Sequence, residues 1–115
     1  CGDELTIYSG NDDQITAFMS LGAKGVISVL SNIAPRAVHD MVKMYLDGDT
    51  AVSTELQLKY LDLCSSLFSD VNPIPIKEAM NMMGMEVGSC RLPLAQIQPQ
   101  AKEKLRRSLS ALGMI

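Results

Sequence analysis

The sequence predicts an α/β fold of which this chain carries a part: two parallel strands joined by a crossover helix, followed by a helical tail. Three observations predict it. The stretch from Thr6 to Val29 reads TIYSGNDDQITAFMSLGAKGVISV, which is a short apolar run, a polar glycine loop, an amphipathic segment and a second apolar run. That order is a strand-loop-helix-strand unit, and a helical connection makes the two strands parallel. After Val29 apolar residues recur at spacings of three and four almost to the end, which is the helical period. Parallel strands are normally covered on both faces within a larger sheet or barrel, so further strands are expected outside this chain.

The first strand is expected to end before the loop at Ser9 and the second before the loop at Leu30. Pro35 suits the first turn of a helix, and Val38, Met41, Val42 and Tyr45 give it an apolar stripe that stops at Gly48. Asp49 or Thr50 caps the next helix, where Val52, Leu56, Tyr60, Leu63 and Leu67 form the stripe and the end falls near Asp70, before Asn72 and Pro73. A shorter helix spans Ile76 to Met83 and is closed by Gly84. The last opens at Pro99, buries Ala101, Leu105, Leu109 and Leu112, and ends at Gly113. Met80, Met82, Met83 and Met85 bunch together, and internal packing is the expected use of so many flexible side chains. Residues 1–48 then form the strand-bearing part and 49–115 a helical extension.

With 115 residues, 47% of them apolar and 20% charged, the chain supports one modest core and is not a disordered segment. A net charge of −3 without acidic or basic blocks argues against a nucleic-acid surface. The cluster Lys102, Lys104, Arg106 and Arg107 is interrupted by Glu103 at helical spacing, so it reads as a solvated face. No apolar run approaches a membrane span and no signal peptide is visible, so a soluble cytoplasmic protein is expected. Because the chain opens on Cys1 and not on methionine, the start of the gene product is expected to have been removed or to lie upstream. Cys1, Cys64 and Cys90 form no CxxC pair and read as reduced thiols. His39 has no ligand partner at a metal spacing, so neither a metal nor a cofactor is expected.

In parallel α/β folds, functional groups lie on loops leaving the carboxyl ends of strands. Here those loops are Ser9 to Asp13 and Leu30 to Asn32. Gly10 permits close backbone approach. Asn11, Asp12 and Asp13 follow it, and for each of these, capping of the next helix competes with ligand contact. The chain lacks GxGxxG, GxxxxGK[ST] and GxSxG patterns, which leaves nucleotide binding and serine hydrolysis unsupported.

Four strings carry a resemblance: Tyr8-Ser9-Gly10-Asn11-Asp12-Asp13, the run Leu21 to Val29, Asn72-Pro73-Ile74-Pro75-Ile76-Lys77, and Arg91-Leu92-Pro93-Leu94. In this order and spacing they resemble the carboxyl-terminal part of the dihydrodipicolinate synthases, across essentially the whole chain. N-acetylneuraminate lyases and keto-deoxy-sugar aldolases are related alternatives, but NPIPIK and RLPL look more like the synthase branch. The resemblance implies the carboxyl-terminal fragment of a (β/α)8 TIM barrel, its last two strands at Thr6 to Tyr8 and Gly25 to Val29, plus a helical extension. A complete barrel of that kind needs about 250 residues.

It further implies a lyase that condenses pyruvate with aspartate semialdehyde in lysine biosynthesis through a Schiff-base lysine. That lysine, and the tyrosine and threonine of the proton relay, would lie upstream of Cys1, so this chain alone is expected to be inactive. Ile76-Lys77-Glu78-Ala79 mimics the family's lysine-bearing string. It follows two prolines, however, and enters a helix instead of ending an apolar strand, so Lys77 is set aside, as is Lys24 before the second strand. By the resemblance Ile27 contacts pyruvate, Gly10 with Asn11 and Asp12 borders the pocket, and Asn72 lies near its mouth. A homo-oligomer, commonly a tetramer in the family, is also implied. A reading from a different class is a non-catalytic helical assembly or binding module.

Overall fold

In the computed structural model, which describes residues 2–115, the regular secondary structure is helical, with long irregular connections between the helices. Among these residues the α-helices are α1 (Ile15–Ser20), α2 (Pro35–Leu46), α3 (Thr50–Leu67), α4 (Ile74–Met82) and α5 (Pro99–Ala111). Single 3₁₀ turns lie at Gly2–Glu4, Asp12–Gln14 and Leu30–Asn32. The expectation of a reduced thiol at Cys1 falls outside the described residues. The chain divides into two compact units, Cys1–Leu61 and Asp62–Ile115.

In the first unit the two strands expected at Thr6 to Tyr8 and Gly25 to Val29 do not form. Their pairing is one isolated parallel bridge between Ser9 and Val26, with no strand among the described residues. Three hydrogen bonds hold it: Lys24 N–H donates to the Ile7 carbonyl at 2.9 Å, Ser9 N–H to Gly25 at 2.9 Å, and Ile27 N–H to Ser9 at 2.8 Å. Each segment has a single neighbour, and a two-stranded pairing without a covered face is marginal, so regularity ends after one bridge. Ile7, Tyr8 and Ile27 are accordingly exposed, at 44%, 52% and 74%. The core of this unit is Ile15 and Met19 of α1, Ala23, Leu30, Ile33, and Val38 and Met41 of α2. Pro35 stands in the first turn of α2, as its fixed φ favours. Asp49 caps α3 by accepting the Val52 N–H at 3.2 Å.

The stripe expected on the first half of α3 is corrected. Val52 is exposed, and the buried positions there are Ser53 and Gln57. That face meets backbone and polar groups: Ser53 Oγ donates to the Met41 carbonyl at 2.6 Å. Buried polar side chains of this kind are stable only when hydrogen-bonded, which both are.

In the second unit Leu63, Cys64 and Leu67 of α3 are buried, with Ile74, Ile76 and Ala79 of α4 and Ala101, Leu105 and Leu109 of α5. Helix α4 packs on α5. It starts at Ile74, two residues earlier than Ile76, because Pro75 fits the first turn, where an N–H has no helical partner. Gly84 (φ +83°) closes it in the left-handed conformation that glycine adopts without strain. Met80, Met82 and Met83 are half-buried, while Met85 is 46% exposed and leaves the packed group. The basic cluster is partly engaged, Lys102 pairing with Glu78 at 2.7 Å and Lys104 Nζ donating to Ser65 Oγ at 2.8 Å. Buried Ser108 bonds Ser66 Oγ at 2.7 Å and donates to the Asp62 carboxylate, registering α5 against the end of α3.

Asp70 ties the end of α3 to the start of α5, accepting the Gln98 N–H at 3.0 Å and the Val71 N–H at 2.7 Å. The Gln98 bond, then the Val71 bond, hold its carboxyl below the usual 3.8. A folded pKa below the unfolded one gives stability that is present above 3.8 and is lost as pH falls through the folded value. Asp70→Asn should therefore lower the unfolding midpoint at neutral pH, and its difference from the unsubstituted chain should close in acid. An unchanging difference across that range would show that Asp70 acts by shape and not by charge.

Candidate functional site

In the first unit the chemistry gathers where two loops leave the paired segments. Ser9 is fully buried, and its Oγ donates to the Asn11 carbonyl at 2.9 Å while accepting the Asn11 N–H at 3.2 Å. This bends residues 9–11 into a tight turn with exposed Gly10 at its apex. Nothing lies within 4 Å of where a Gly10 Cβ would stand, so the backbone there faces open space. Asn11 holds the N-cap position of the Asp12–Gln14 turn but makes no side-chain capping bond. Capping by Asn11, weighed from the sequence, is thus not realised.

Asp12 caps something else. It is 1% exposed, and its Oδ2 accepts the N–H groups of Val29 at 2.9 Å and Leu30 at 3.0 Å. Those are orphan donors at the start of the Leu30–Asn32 turn, so the carboxylate of the first loop caps the second. Its Oδ1 is buried with no hydrogen-bond partner. The second loop also braces itself: Ser28 Oγ accepts the Ser31 N–H at 2.9 Å, and Asn32 Nδ2 donates to the Val29 carbonyl at 2.9 Å.

Gln57 of α3 supports this arrangement from behind. Its Nε2 donates to the Asp12 carbonyl at 2.8 Å, and its Oε1 accepts from both Thr16 N–H and Thr16 Oγ1 at 3.2 Å. Sequence reasoning missed it. Gln57 lies beside the apolar stripe read on α3, and nothing in a lone polar residue signals partners more than 40 positions away.

Gly10, Asn11, Asp12 and Ile27 therefore share one frame, closed on one side by the Ser9–Ile27 bond and on the other by Asp12. Asn72 is exposed in the second unit, in the turn before α4. That unit also holds a cavity of about 640 Å³ lined by Ile74, Lys77, Asn81, Cys90, Leu92 and Lys102, among others. Several of its polar side chains are already engaged: Lys77 Nζ donates to the Ser89 carbonyl at 2.7 Å, Asn81 Nδ2 to the Gly88 carbonyl at 2.9 Å, and Lys102 pairs with Glu78. Among the described residues no group of His, Cys, Asp and Glu could hold a metal ion, and no helix is long and apolar enough to cross a membrane.

Known proteins resemble this chain along essentially its whole length. A 4-hydroxy-tetrahydrodipicolinate synthase of Acetivibrio thermocellus is 48% identical over all 115 residues, which cover 39% of that relative. The crystal structure of a dihydrodipicolinate synthase from Thermotoga maritima superposes with a TM-score of 0.94 at 36% identity, over 99% of this chain and 39% of that one. A chloride-inhibited dihydrodipicolinate synthase from Acinetobacter baumannii, solved with pyruvate, matches with a TM-score of 0.90 at 38% identity, over 96% of this chain and 38% of that one. The chain thus spans about two fifths of the length of the proteins it matches. The model of the dihydrodipicolinate synthetase family matches residues 1–112, and the chain belongs to that family.

Proposed function

We propose that the chain is the carboxyl-terminal part of a pyruvate-dependent aldolase-type lyase that condenses pyruvate with aspartate semialdehyde on the route to lysine. The observation that carries this reading is the joined pair of loops: two segments paired in parallel, with the loops at their carboxyl ends locked together by Asp12. A (β/α)8 barrel builds its site from such loops. In this reading Thr6 to Tyr8 and Gly25 to Val29 are the last two barrel positions, residues 1–48 complete the barrel and 49–115 form the helical extension. Gly10, Asn11, Asp12 and Ile27 border the substrate pocket, Asn72 lies near its mouth, and a pyruvate-bound relative supports the keto acid as ligand.

The parent chain supplies the reactive amine. A neutral lysine attacks the keto carbon of pyruvate, water leaves, and the imine loses a methyl proton to give the enamine that attacks the aldehyde. This segment supplies walls: Gly10 leaves backbone accessible, and Ile27 offers an apolar surface. Assembly as a homo-oligomer, a tetramer by family likeness, belongs to the same proposal. The test is reductive trapping of the full-length parent. Pyruvate with sodium borohydride should add a reduced imine on a lysine outside these 115 residues. No adduct, or one mapped inside them, would sink the assignment.

A further inference from the structure

We infer that Asp12 is a positioning residue, a latch whose carboxylate sets the distance between Gly10 and Ile27 and thereby the fit of the pocket to a small 2-oxo acid. That role rests on the pyruvate reading proposed above. Three observations favour a latch over a group that touches substrate. Asp12 is 1% exposed, whereas Gly10 and Ile27, between which it works, are open to solvent. Its Oδ2 takes two backbone donors, at 2.9 and 3.0 Å, from a loop 17 and 18 positions away, so it joins the two loops and not neighbours in one turn. Its own backbone is gripped by Gln57 Nε2 at 2.8 Å, so the anchor end is held as firmly as the latched end.

The frame has two sides. The bond from Ile27 N–H to Ser9 at 2.8 Å closes one, and Asp12 closes the other. Without the carboxylate, residues 28–32 keep only bonds among themselves and to the adjoining Ile33 and Ala34, and Ile27 is pinned from one side alone. A charged acceptor bonds an N–H about twice as strongly as a neutral one, which suits a contact asked to fix a loop. An amide retains an acceptor oxygen in the same place, so asparagine should hold the latch more weakly, while alanine removes it.

The experiment compares Asp12→Ala and Asp12→Asn in the full-length parent. It measures steady-state condensation with pyruvate varied, and hydrogen exchange of the peptide covering residues 27–31. For Asp12→Ala the expected result is a KM for pyruvate raised about tenfold with kcat changed much less, together with faster exchange in that peptide. For Asp12→Asn both quantities should stay within about threefold of the parent. If Asp12→Asn alone raises KM tenfold while exchange is unchanged, the charge acts on substrate and the latch is wrong. Exchange that does not respond to Asp12→Ala overturns it as well. Should Asp12→Ala fail to fold, Asp12→Asn decides by the same two readouts. A parent that forms no pyruvate adduct would refute the lyase reading, while the exchange result still decides whether Asp12 joins the loops.

Discussion

Treated with pyruvate and sodium borohydride, the 115-residue chain alone should gain no mass, and it should show no pyruvate-dependent condensation. This is the largest effect expected of the molecule, because in the proposed reading an activity is present or absent according to whether one lysine is in the chain. Two lysines in suggestive sequence positions are available to fail. Lys77 stands in the Ile-Lys-Glu-Ala string, but it lies in the first turns of α4, half-buried, with its ammonium donating to the Ser89 carbonyl at 2.7 Å. Its neighbours in the cavity include an ion pair and an amide, which is not the apolar strand-end pocket that keeps a Schiff-base amine neutral. Lys24 is exposed and precedes the second paired segment, its backbone N–H bonding Ile7. That is the amino end of the pairing, away from the loops that carry Gly10 and Asp12. Intact mass spectrometry after reduction checks the prediction, and an adduct on Lys77 or Lys24 would refute it.

The helices were legible because their signals are local. Pro35 and Pro99 open α2 and α5, Gly48 follows the end of α2, Gly84 and Gly113 close α4 and α5, and the buried apolar residues of α2 and α5 fall on the predicted stripes, although Leu112 is only half-buried and Ser108 is buried off the stripe. What escaped was set by tertiary partners. Val52 belongs to a regular apolar spacing yet is exposed, because the face of α3 beside it is taken by Ser53 and Gln57, whose bonds to Met41, Asp12 and Thr16 no periodicity records. Asp12 was legible as a polar residue at a strand-end loop, and capping was legible as its rival use. That it caps a turn 18 positions on could not be read, since its partners there are backbone groups that any residue would present. The strands were over-read for a related reason. Apolar content predicts extended chain, but regular strand requires neighbours on its edges, and among the described residues each segment pairs only with the other, through one bridge.

The same missing neighbours give the second large effect: the isolated chain should associate as its concentration rises and lose structure gradually on heating. Ile7, Tyr8, Leu21 and Ile27 are exposed at 44%, 52%, 85% and 74%. Fully burying one side chain of this class is worth about 1.5–3 kcal/mol, so several together exceed what a marginal fold leaves uncovered without consequence. The backbone adds to the pull. In a parallel pair successive residues turn their N–H and C=O groups to opposite sides, so with Ser9 and Ile27 facing the ladder, Tyr8 and Val26 turn theirs outward. Such an edge is a template for another chain. Light scattering coupled to size exclusion should therefore show mass growing with loading, and the thermal transition should be broad and concentration-dependent. In the proposed reading the full-length parent covers those faces, and it should give one fixed assembly and a sharp transition. A sharp monomer peak with cooperative unfolding for the 115 residues alone would mean that α1 to α5 bury enough to stand unaided, and would favour the alternative reading of an independent helical module.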